Sequence, residues 1–363
     1  MGKRQRTPED IAARKVKKLR KKEEKARPAP AETLPAPDQH PSSPRQHSTL
    51  RLKDIRRPRK WTVSIAVPGS IIGNAQSPEL KTYLAGQIAR AATIFNVDEI
   101  VVFSEDGKEH SAEGALSHAN RTDANVFLAR VLQYLECPQY LRKALFPMHP
   151  DLKFAGLLNP LDAPHHLRAD AISPFREGIT LKRPSSSGTL VNVGLRKDVR
   201  VPQTIAPNVR VTVAIEDPEL LNSKKVGKGH AVSPSAPRES AGLYWGYTTR
   251  LAAGLSEVFT QCPYEGGYDL ALGTSDRGEL AQEGTFTLKP FKHLIIVFGG
   301  LGGIESCVEG DEKLPSTRAE ELFDAYINTC AHQGSGTIRT EEAILVSLSA
   351  LHSHILRNSD ACK

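Results

Sequence analysis

The sequence lacks the long apolar runs and the cysteine pattern that mark membrane-spanning or secreted proteins. None of its 363 residues belongs to an apolar stretch of about 18 residues, the length needed to cross a bilayer. The amino terminus is basic and polar, without the apolar segment of a secretory signal. The five cysteines are odd in number and widely spaced, and they form neither a zinc pattern nor a disulfide framework. We therefore expect a soluble, intracellular protein with reduced thiols.

The basic charge is concentrated at the amino terminus. Residues 1–60 carry 19 Lys and Arg against 7 Asp and Glu, whereas the remaining 303 residues carry 29 against 34. Residues 27–48 are rich in proline, alanine and serine, a composition that buries too little apolar area to fold. We expect residues 1–60 to form a disordered basic tail. Nuclear targeting, phosphate binding and a purely solubilising role are all open readings of this tail.

A glycine-rich stretch near the carboxyl end is the most informative part of the chain. Residues 294–298 form an unbroken apolar run, which is typical of a strand buried on both faces of a parallel sheet. Glycines 299, 300, 302 and 303 follow directly. Because glycine has no Cβ, such a turn lets a ligand lie against the backbone at the carboxyl end of a strand. By itself, the same pattern would also fit a tight turn that closes a core strand.

Two more loops in the last hundred or so residues could reach the same ligand. Residues 269–272 predict a short strand, followed by a polar turn up to Gly278. Residues 328–343 predict a loop that opens a helix, with Thr340 as the N-cap and Glu341 and Glu342 in the first turn. Because each loop follows a strand or opens a helix, the three could converge on one site.

Earlier in the chain, strands and helices alternate. Residues 61–67 and 98–103 predict strands, and Ser77 and Pro78 begin a helix between them. A helix stopped by Pro138 follows the polar residues 104–121, and after residue 242 we expect a strand at 243–249 and a helix at 251–259. Short β-type runs between residues 179 and 215 indicate a small barrel.

The adjacent His165 and His166 have no third ligand at a suitable spacing, so we expect no metal site.

The sequence resembles the eukaryotic SPOUT-domain-containing methyltransferase family from about residue 61 to residue 351. The resemblance is carried by long segments, which are residues 67–71, 74–80, 84–91, 133–143, 242–247 and 337–344. It implies an α/β fold with a trefoil-knotted SPOUT methyltransferase domain made of residues 61–165 and 240–352. It also implies an inserted OB-like β domain at residues 172–235, which leaves residues 353–363 as a C-terminal tail. True knots are rare, so only the resemblance suggests one.

The resemblance further implies an S-adenosyl-L-methionine-dependent RNA methyltransferase that acts on ribosomal RNA, with N3 of uridine as a candidate target. The residues in the family's loop segments become candidate cofactor contacts: Thr274, Ser275, Arg277, Gly299, Gly300, Gly302, Asn328, Thr329, Thr337 and Ile338. Arg277 and Arg339 are candidates for stabilising negative charge on the base, and Asp276 and Glu341 for accepting its proton. A surface-turn role for Arg277 and a helix-start role for Glu341 are the alternatives.

Partners also follow from the resemblance. It implies a homodimer, with the helix that begins at Pro78 and the last helix as contact surfaces. The apolar faces of these helices could equally be intramolecular core. The inserted domain is a candidate RNA surface because it is rich in basic residues, namely Lys182, Arg183, Arg196, Lys197, Arg200, Lys224, Lys225 and Lys228. A solvated charged face is the alternative. We expect a nuclear or nucleolar protein, or a cytoplasmic one, with a mitotic location at the kinetochore or spindle as a further implication. The alternative function is an RNA-binding or spindle-associated scaffold with little or no catalytic activity.

A Rossmann oxidoreductase fits the sequence less well. The glycine loop lies near the carboxyl end of the chain, and no ribose-binding acid follows it in a second βαβ unit.

Overall fold

The computed structural model describes residues 57–107, 122–182, 188–218, 227–281, 286–316 and 318–361. Most of the predicted tail and of the polar excursion lie outside these ranges, as do the basic residues 183, 224 and 225. Within the described ranges, no helix has the length and apolar character required to cross a membrane.

The secondary structure alternates between strands and helices, with a block of strands in the middle. The strands are β1 (Thr62–Pro68), β2 (Glu99–Phe103), β3 (Phe175–Thr180), β4 (Thr189–Asn192), β5 (Val199–Val201), β6 (Arg210–Ile215), β7 (Gly227–Val232), β8 (Thr248–Ala252), β9 (Leu270–Leu280), β10 (His293–Val297) and β11 (Ala325–Asn328). The helices are α1 (Pro78–Ile94), α2 (Ala124–Glu136), α3 (Gln139–Leu145), α4 (Ala236–Ala241), α5 (Leu255–Thr260), α6 (Gly303–Glu309) and α7 (Thr340–Ala361).

A parallel sheet of six strands forms the main layer, in the order β11-β9-β10-β1-β2-β8. Every neighbouring pair is parallel. Strands from both ends of the chain therefore share one sheet, as the interrupted α/β pattern predicted. The strand predicted at residues 294–298 is β10, and it occupies a central position beside β1.

Both faces of this sheet are covered, which explains the continuous apolar runs. Leu294 and Ile296 of β10 pack into one core together with side chains of α1, α2 and α7. Ile295 and Val297 point to the opposite face, where they join a second core that includes α5 and α6. Alternate side chains of one strand thus enter two cores, so a polar residue would be buried at any of these positions.

Three predicted boundaries were wrong. Residues 243–247 are not a strand; β8 begins at Thr248, and α5 begins only at Leu255, after Gly254. The predicted C-terminal tail is the end of α7, which continues to Ala361. The side-chain amide of Asn358 exchanges two hydrogen bonds with the backbone of Phe291, at 3.1 and 2.8 Å. This pairing, with Ile355 buried, holds the last turns of the helix against the sheet domain.

The inserted strands close into a separate barrel in the order β3-β4-β5-β7-β6. Neighbouring strands are antiparallel except for β5 and β7, which run parallel. Its core is made of short branched side chains, which are Val191, Val193, Val199, Val201, Val213 and Ile215. The fold is thus a parallel α/β domain with an inserted five-stranded barrel. The trefoil knot stays a prediction, because strand order does not determine how a chain passes through a loop.

A buried charged cluster joins the barrel to α2. Arg210 on β6 donates two hydrogen bonds to the Glu136 carboxylate, at 2.6 and 2.9 Å, and one to Glu177 on β3, at 2.7 Å. Burial tends to raise the pKa of Glu136, but Arg210 and His165 hold it at about 2. The Nε2 atoms of His165 and His166 lie 2.8 and 2.7 Å from the Glu136 carbonyl oxygen. The histidine pair therefore belongs to this cluster, which we call the Glu136 cluster.

Candidate active site

Three loops meet at the carboxyl edge of the sheet around one cavity. The first loop (residues 274–278) lies within β9, the glycine loop (residues 299–303) follows β10, and the third loop (residues 329–339) connects β11 to α7. Together they line a cavity of about 330 Å³, which is within the usual range for small-molecule sites. The predicted convergence of the three loops is therefore present in the structure.

The cavity lining includes every residue that the family resemblance implied as a cofactor contact. These are Thr274, Ser275, Arg277, Gly299, Gly300, Gly302, Asn328, Thr329, Thr337 and Ile338.

The first loop enters the cavity because β9 bulges away from β11. Gly273 pairs with Tyr326, but the next residue of β11, Ile327, pairs with Glu279. Residues 274–278 therefore have no partner on β11 and bulge toward the cavity. At Gly278, a Cβ would collide with the backbone of Ile327. The strand predicted at residues 269–272 thus continues to Leu280, interrupted by a bulge that carries polar side chains.

Side-chain hydrogen bonds hold the first loop in place. The Thr274 hydroxyl donates to the carbonyl of Val297, at 2.9 Å, which fixes the loop against β10. The Asn328 amide donates to the carbonyl of Asp276, at 2.8 Å, which fixes it against β11. These contacts give the loop a defined position next to both neighbouring strands.

The start of α7 differs in detail from the prediction. The carbonyl of Arg339 accepts the first helical hydrogen bond, from the Ala343 N–H at 2.8 Å, so Arg339 rather than Thr340 is the N-cap. Glu342 accepts from the Arg339 N–H at 3.1 Å, as the carboxylate of a capping box does. The Thr340 hydroxyl therefore does not cap the helix. It donates a hydrogen bond to the carbonyl of Gly299, at 3.0 Å. This bond ties the helix start to the glycine loop.

The residues present fit S-adenosylmethionine. At Gly299, a Cβ would collide with the backbone of Gly303 and Ile304, so the loop closes tightly only with glycine there. Phe298, Ile327 and other apolar residues of the lining offer contacts for an adenine ring, while hydroxyls and backbone groups offer hydrogen bonds for ribose and amino-acid groups. When bound, S-adenosylmethionine would supply a methyl group on a positively charged sulfur.

Three of the four predicted catalytic residues line the cavity, namely Asp276, Arg277 and Arg339. The side chains of the two arginines are 78% and 70% exposed, so they are available to a substrate that approaches from solvent. Glu341 is not among the lining residues. It is buried and lines a separate groove between α1 and α7. Its Oε1 lies 3.9 Å from Nη1 of Arg339. Because Glu341 lines the separate groove and not the cavity, the prediction that it accepts a proton in the cavity does not fit its position.

Sequence reasoning gave no site role to several polar residues of the lining, among them Asn74, Glu305, Gln333 and Ser347. Asn74 ends the short helix after β1 and was part of a family segment, but nothing local marked it as a ligand. Glu305 follows the glycine loop by two residues, and this spacing was the available signal. No group of three or more His, Cys, Asp or Glu side chains in the described ranges is arranged to hold a metal ion.

Comparisons with known proteins give the family. Residues 62–351 match the family described as "Putative RNA methyltransferase". A mouse protein named 28S rRNA (uridine-N(3))-methyltransferase is 55% identical over 297 residues, covering 81% of this chain and 76% of its own. The human protein of the same name is 53% identical over 305 residues, covering 83% and 80%.

Among solved structures, similarity is distant. The SpoU methyltransferase AviRb from Streptomyces viridochromogenes, solved in complex with AdoMet, is 8% identical with a TM-score of 0.32, covering 84% of this chain and 62% of its own. This likeness is too distant to support an argument about the site.

Proposed function

Because the chain belongs to the RNA methyltransferase family that it matches over residues 62–351, we propose that it methylates N3 of a uridine in large-subunit ribosomal RNA. S-adenosylmethionine is the methyl donor. The observation that carries the proposal is the cavity at the carboxyl edge of the sheet. The three loops meet there, and the exposed Arg277 and Arg339 line the cavity. The names of the mouse and human relatives supply the ribosomal target and the N3 atom.

The chemistry makes two demands on the site. The attacking nitrogen must lie in line with the methyl carbon and the sulfur, so holding both reactants in register supplies much of the rate. The N3 of uridine carries a proton and becomes a good nucleophile only when that proton leaves, and the base then becomes an anion. Arg277 and Arg339 can stabilise this anion because both are cationic and line the cavity.

The direct test uses 28S rRNA transcribed without modifications, incubated with the protein and S-adenosylmethionine. After digestion to nucleosides, mass spectrometry should detect 3-methyluridine at one mapped position. A folded protein that binds S-adenosylmethionine and the transcript but yields no methylated nucleoside would contradict the proposal. That outcome would favour the alternative of an RNA-binding scaffold.

We also propose that the barrel holds RNA through its exposed basic residues. Lys182, Arg196, Lys197, Arg200 and Lys228 are all exposed. Arg200 and Lys228 are direct partners on the parallel strands β5 and β7. Like charges placed side by side are unfavourable in the free protein, whereas phosphate groups would neutralise them.

The variant Arg200→Ala/Lys228→Ala should bind the 28S rRNA transcript more weakly at every sequence tested. Its plot of log affinity against log salt should become shallower by roughly 0.7 to 0.9 for each phosphate contact that is lost. Filter binding at several salt concentrations measures this slope. The matched variant Lys289→Ala/Lys292→Ala removes two exposed lysines outside the barrel. Equal slopes for the two variants would argue against the barrel as an RNA surface.

A homodimer through α1 and α7 is a further part of the proposal. Both helices leave large apolar side chains exposed, including Tyr83 at 53% and Leu345 at 44%. These two residues line one groove, together with Ile94 and Leu158. The implied partner is a second copy of the same chain, since an apolar groove of this kind suits a matching apolar helix face.

The variant Leu345→Glu should convert the dimer to a monomer, because it places a charge in an apolar interface. Light scattering after size-exclusion chromatography gives the mass. Met148→Glu is the control, since Met148 is also apolar and fully exposed but lies on neither helix. A dimer that survives Leu345→Glu unchanged would place the interface elsewhere.

The nuclear, nucleolar and mitotic locations stay predictions from the sequence.

A further inference from the structure

Two carboxylates, Asp276 and Glu305, are present among the described residues that line the cavity. Asp276 lies in the exposed part of the first loop, and its Oδ1 atom lies 3.4 Å from the hydroxyl oxygen of Ser275. The Glu305 side chain is 34% exposed, so it is partly enclosed but still reachable. A proton acceptor needs access to its substrate and partial shielding from water, and Glu305 meets both conditions better than Asp276.

Glycine at position 303 allows Glu305 to reach the loop. Gly303 has a φ of +77°, a conformation that favours glycine, and a Cβ there would collide with the Glu305 carboxylate. The carboxylate therefore folds back over the glycine loop, although its backbone lies in α6. The same loop contains the glycines predicted to contact the cofactor, so Glu305 is close to the methyl donor's predicted position.

Glu305 also faces the first loop. Its Oε1 lies 3.7 Å from Nη1 of Arg277, so the carboxylate and the guanidinium stand together at the cavity. An acid–base pair at this spacing can contact one planar base from two sides. The carboxylate would take a proton from the ring, while the guanidinium would donate hydrogen bonds to a neighbouring oxygen.

A buried hydroxyl lies near Glu305. The Tyr326 hydroxyl oxygen is buried, and it forms no hydrogen bond with any of the described residues. Burial raises the pKa of Tyr326 to about 12, with the nearby Glu305 carboxylate adding to the rise and Ser275 opposing it. Tyr326 therefore keeps its proton at neutral pH and remains a possible hydrogen-bond donor near Glu305.

We propose that Glu305 is the residue that accepts the N3 proton of the target uridine, with Arg277 stabilising the resulting anion. This assignment rests on the proposed function. In the step, the N3–H bond breaks and the proton passes to the Glu305 carboxylate. The electron pair left on N3 forms the new bond to the methyl carbon, and the carbon–sulfur bond breaks with its electron pair on sulfur. Glu305 then releases the proton to water.

The test compares Glu305→Gln with Glu309→Gln, which makes the same change at an exposed position on the same helix. Methyl transfer to transcribed 28S rRNA is measured under single-turnover conditions, beside calorimetric titration with S-adenosylmethionine. General base catalysis typically contributes about 10²- to 10⁴-fold, so Glu305→Gln should slow transfer by at least about 100-fold. Its S-adenosylmethionine affinity should stay close to that of the wild type. Glu309→Gln should match the wild type in both measurements.

A substrate with a more acidic N3–H separates proton transfer from a merely structural role. Fluorine at C5 withdraws electrons and makes the N3–H more acidic, so a transcript with 5-fluorouridine needs less help from a base. The Glu305→Gln variant should therefore methylate the 5-fluorouridine transcript at least about tenfold faster than it methylates the ordinary transcript. Transfer by Glu305→Gln within threefold of the wild type would overturn the proposal. So would a large loss that 5-fluorouridine leaves unchanged, since Glu305 would then act only by positioning Arg277.

A failure of the proposed function looks different. The wild type and Glu309→Gln would then be inactive as well, or the methyl group would appear on an atom other than N3. Either result removes the basis for a proton acceptor at Glu305.

Discussion

Replacing Gly299 with alanine is expected to weaken S-adenosylmethionine binding by about 10- to 100-fold. The added Cβ would meet the backbone of Gly303 and Ile304, and backbone atoms cannot rotate aside as a side chain can. Overpacking of this kind costs about 1–3 kcal/mol, and about 1.4 kcal/mol corresponds to one factor of ten in affinity. Calorimetric titration of the purified variant measures the loss. Circular dichroism and thermal unfolding confirm that the variant is folded.

Gly334→Ala is the matched control for this prediction. Gly334 lies in the third loop, but a Cβ there would meet no atom within 4 Å. The control should therefore bind S-adenosylmethionine with an affinity close to that of the wild type. If Gly299→Ala bound the cofactor as tightly as Gly334→Ala, the glycine loop would not be the cofactor cradle. The methyltransferase proposal would then lose its structural basis.

Removing the guanidinium of Arg210 is expected to lower the free energy of unfolding by about 3–5 kcal/mol, the usual cost of leaving a buried charge without its partner. Arg210 binds Glu136 and Glu177, whose side chains are 8% and 3% exposed. Both carboxylates would lose their main cation in Arg210→Met. Chemical denaturation of this variant, beside Arg196→Met at an exposed site of the barrel, measures the difference. The exposed substitution should change stability by no more than about 0.5 kcal/mol.

A double variant tests the reason for that loss. Arg210→Met combined with Glu136→Gln should be less destabilised than the sum of the single variants, because the second change removes a buried charge that the first left unpaired. Strict additivity would contradict the explanation. The folded pKa of Glu136, about 2, lies below its ordinary value of 4.5. Its contribution to wild-type stability is therefore complete above pH 4.5 and is lost as the pH falls toward 2.

The sequence alone predicted the buried strand β10 and the three loops that meet at the cavity. Residues 294–298 are apolar without a break because β10 sends alternate side chains into two cores, and this pattern needs no tertiary information to recognise. Among the glycines that follow, Gly303 has a φ of +77°, and a Cβ at Gly299 would collide with the backbone of Gly303 and Ile304. The three loops could be predicted to meet because the carboxyl ends of neighbouring parallel strands lie at one edge of a sheet. The barrel was also predictable, from short branched runs separated by turn residues.

Side-chain direction and long-range partners were decided only by the tertiary structure. Glu341 was a candidate proton acceptor, but in the tertiary structure it lines the groove beside α1. Glu305 was not predicted as a site residue, and the positive φ of Gly303 allows its carboxylate to lie over the glycine loop. Such directions depend on local backbone angles and on neighbours distant in sequence, which periodicity does not encode.

The same reason explains the two histidines and the last helix. His165 and His166 suggested no role by their spacing, yet both contact Glu136, which lies 29 and 30 residues earlier in the chain. Residues 353–363 were predicted as a C-terminal tail, but Asn358 pairs with the backbone of Phe291, 67 residues away. Composition and periodicity report what a residue prefers locally. The distant group that a residue contacts is determined only when the chain folds. Such contacts hold the barrel, the carboxyl end of α7 and the carboxylate at the cavity in place.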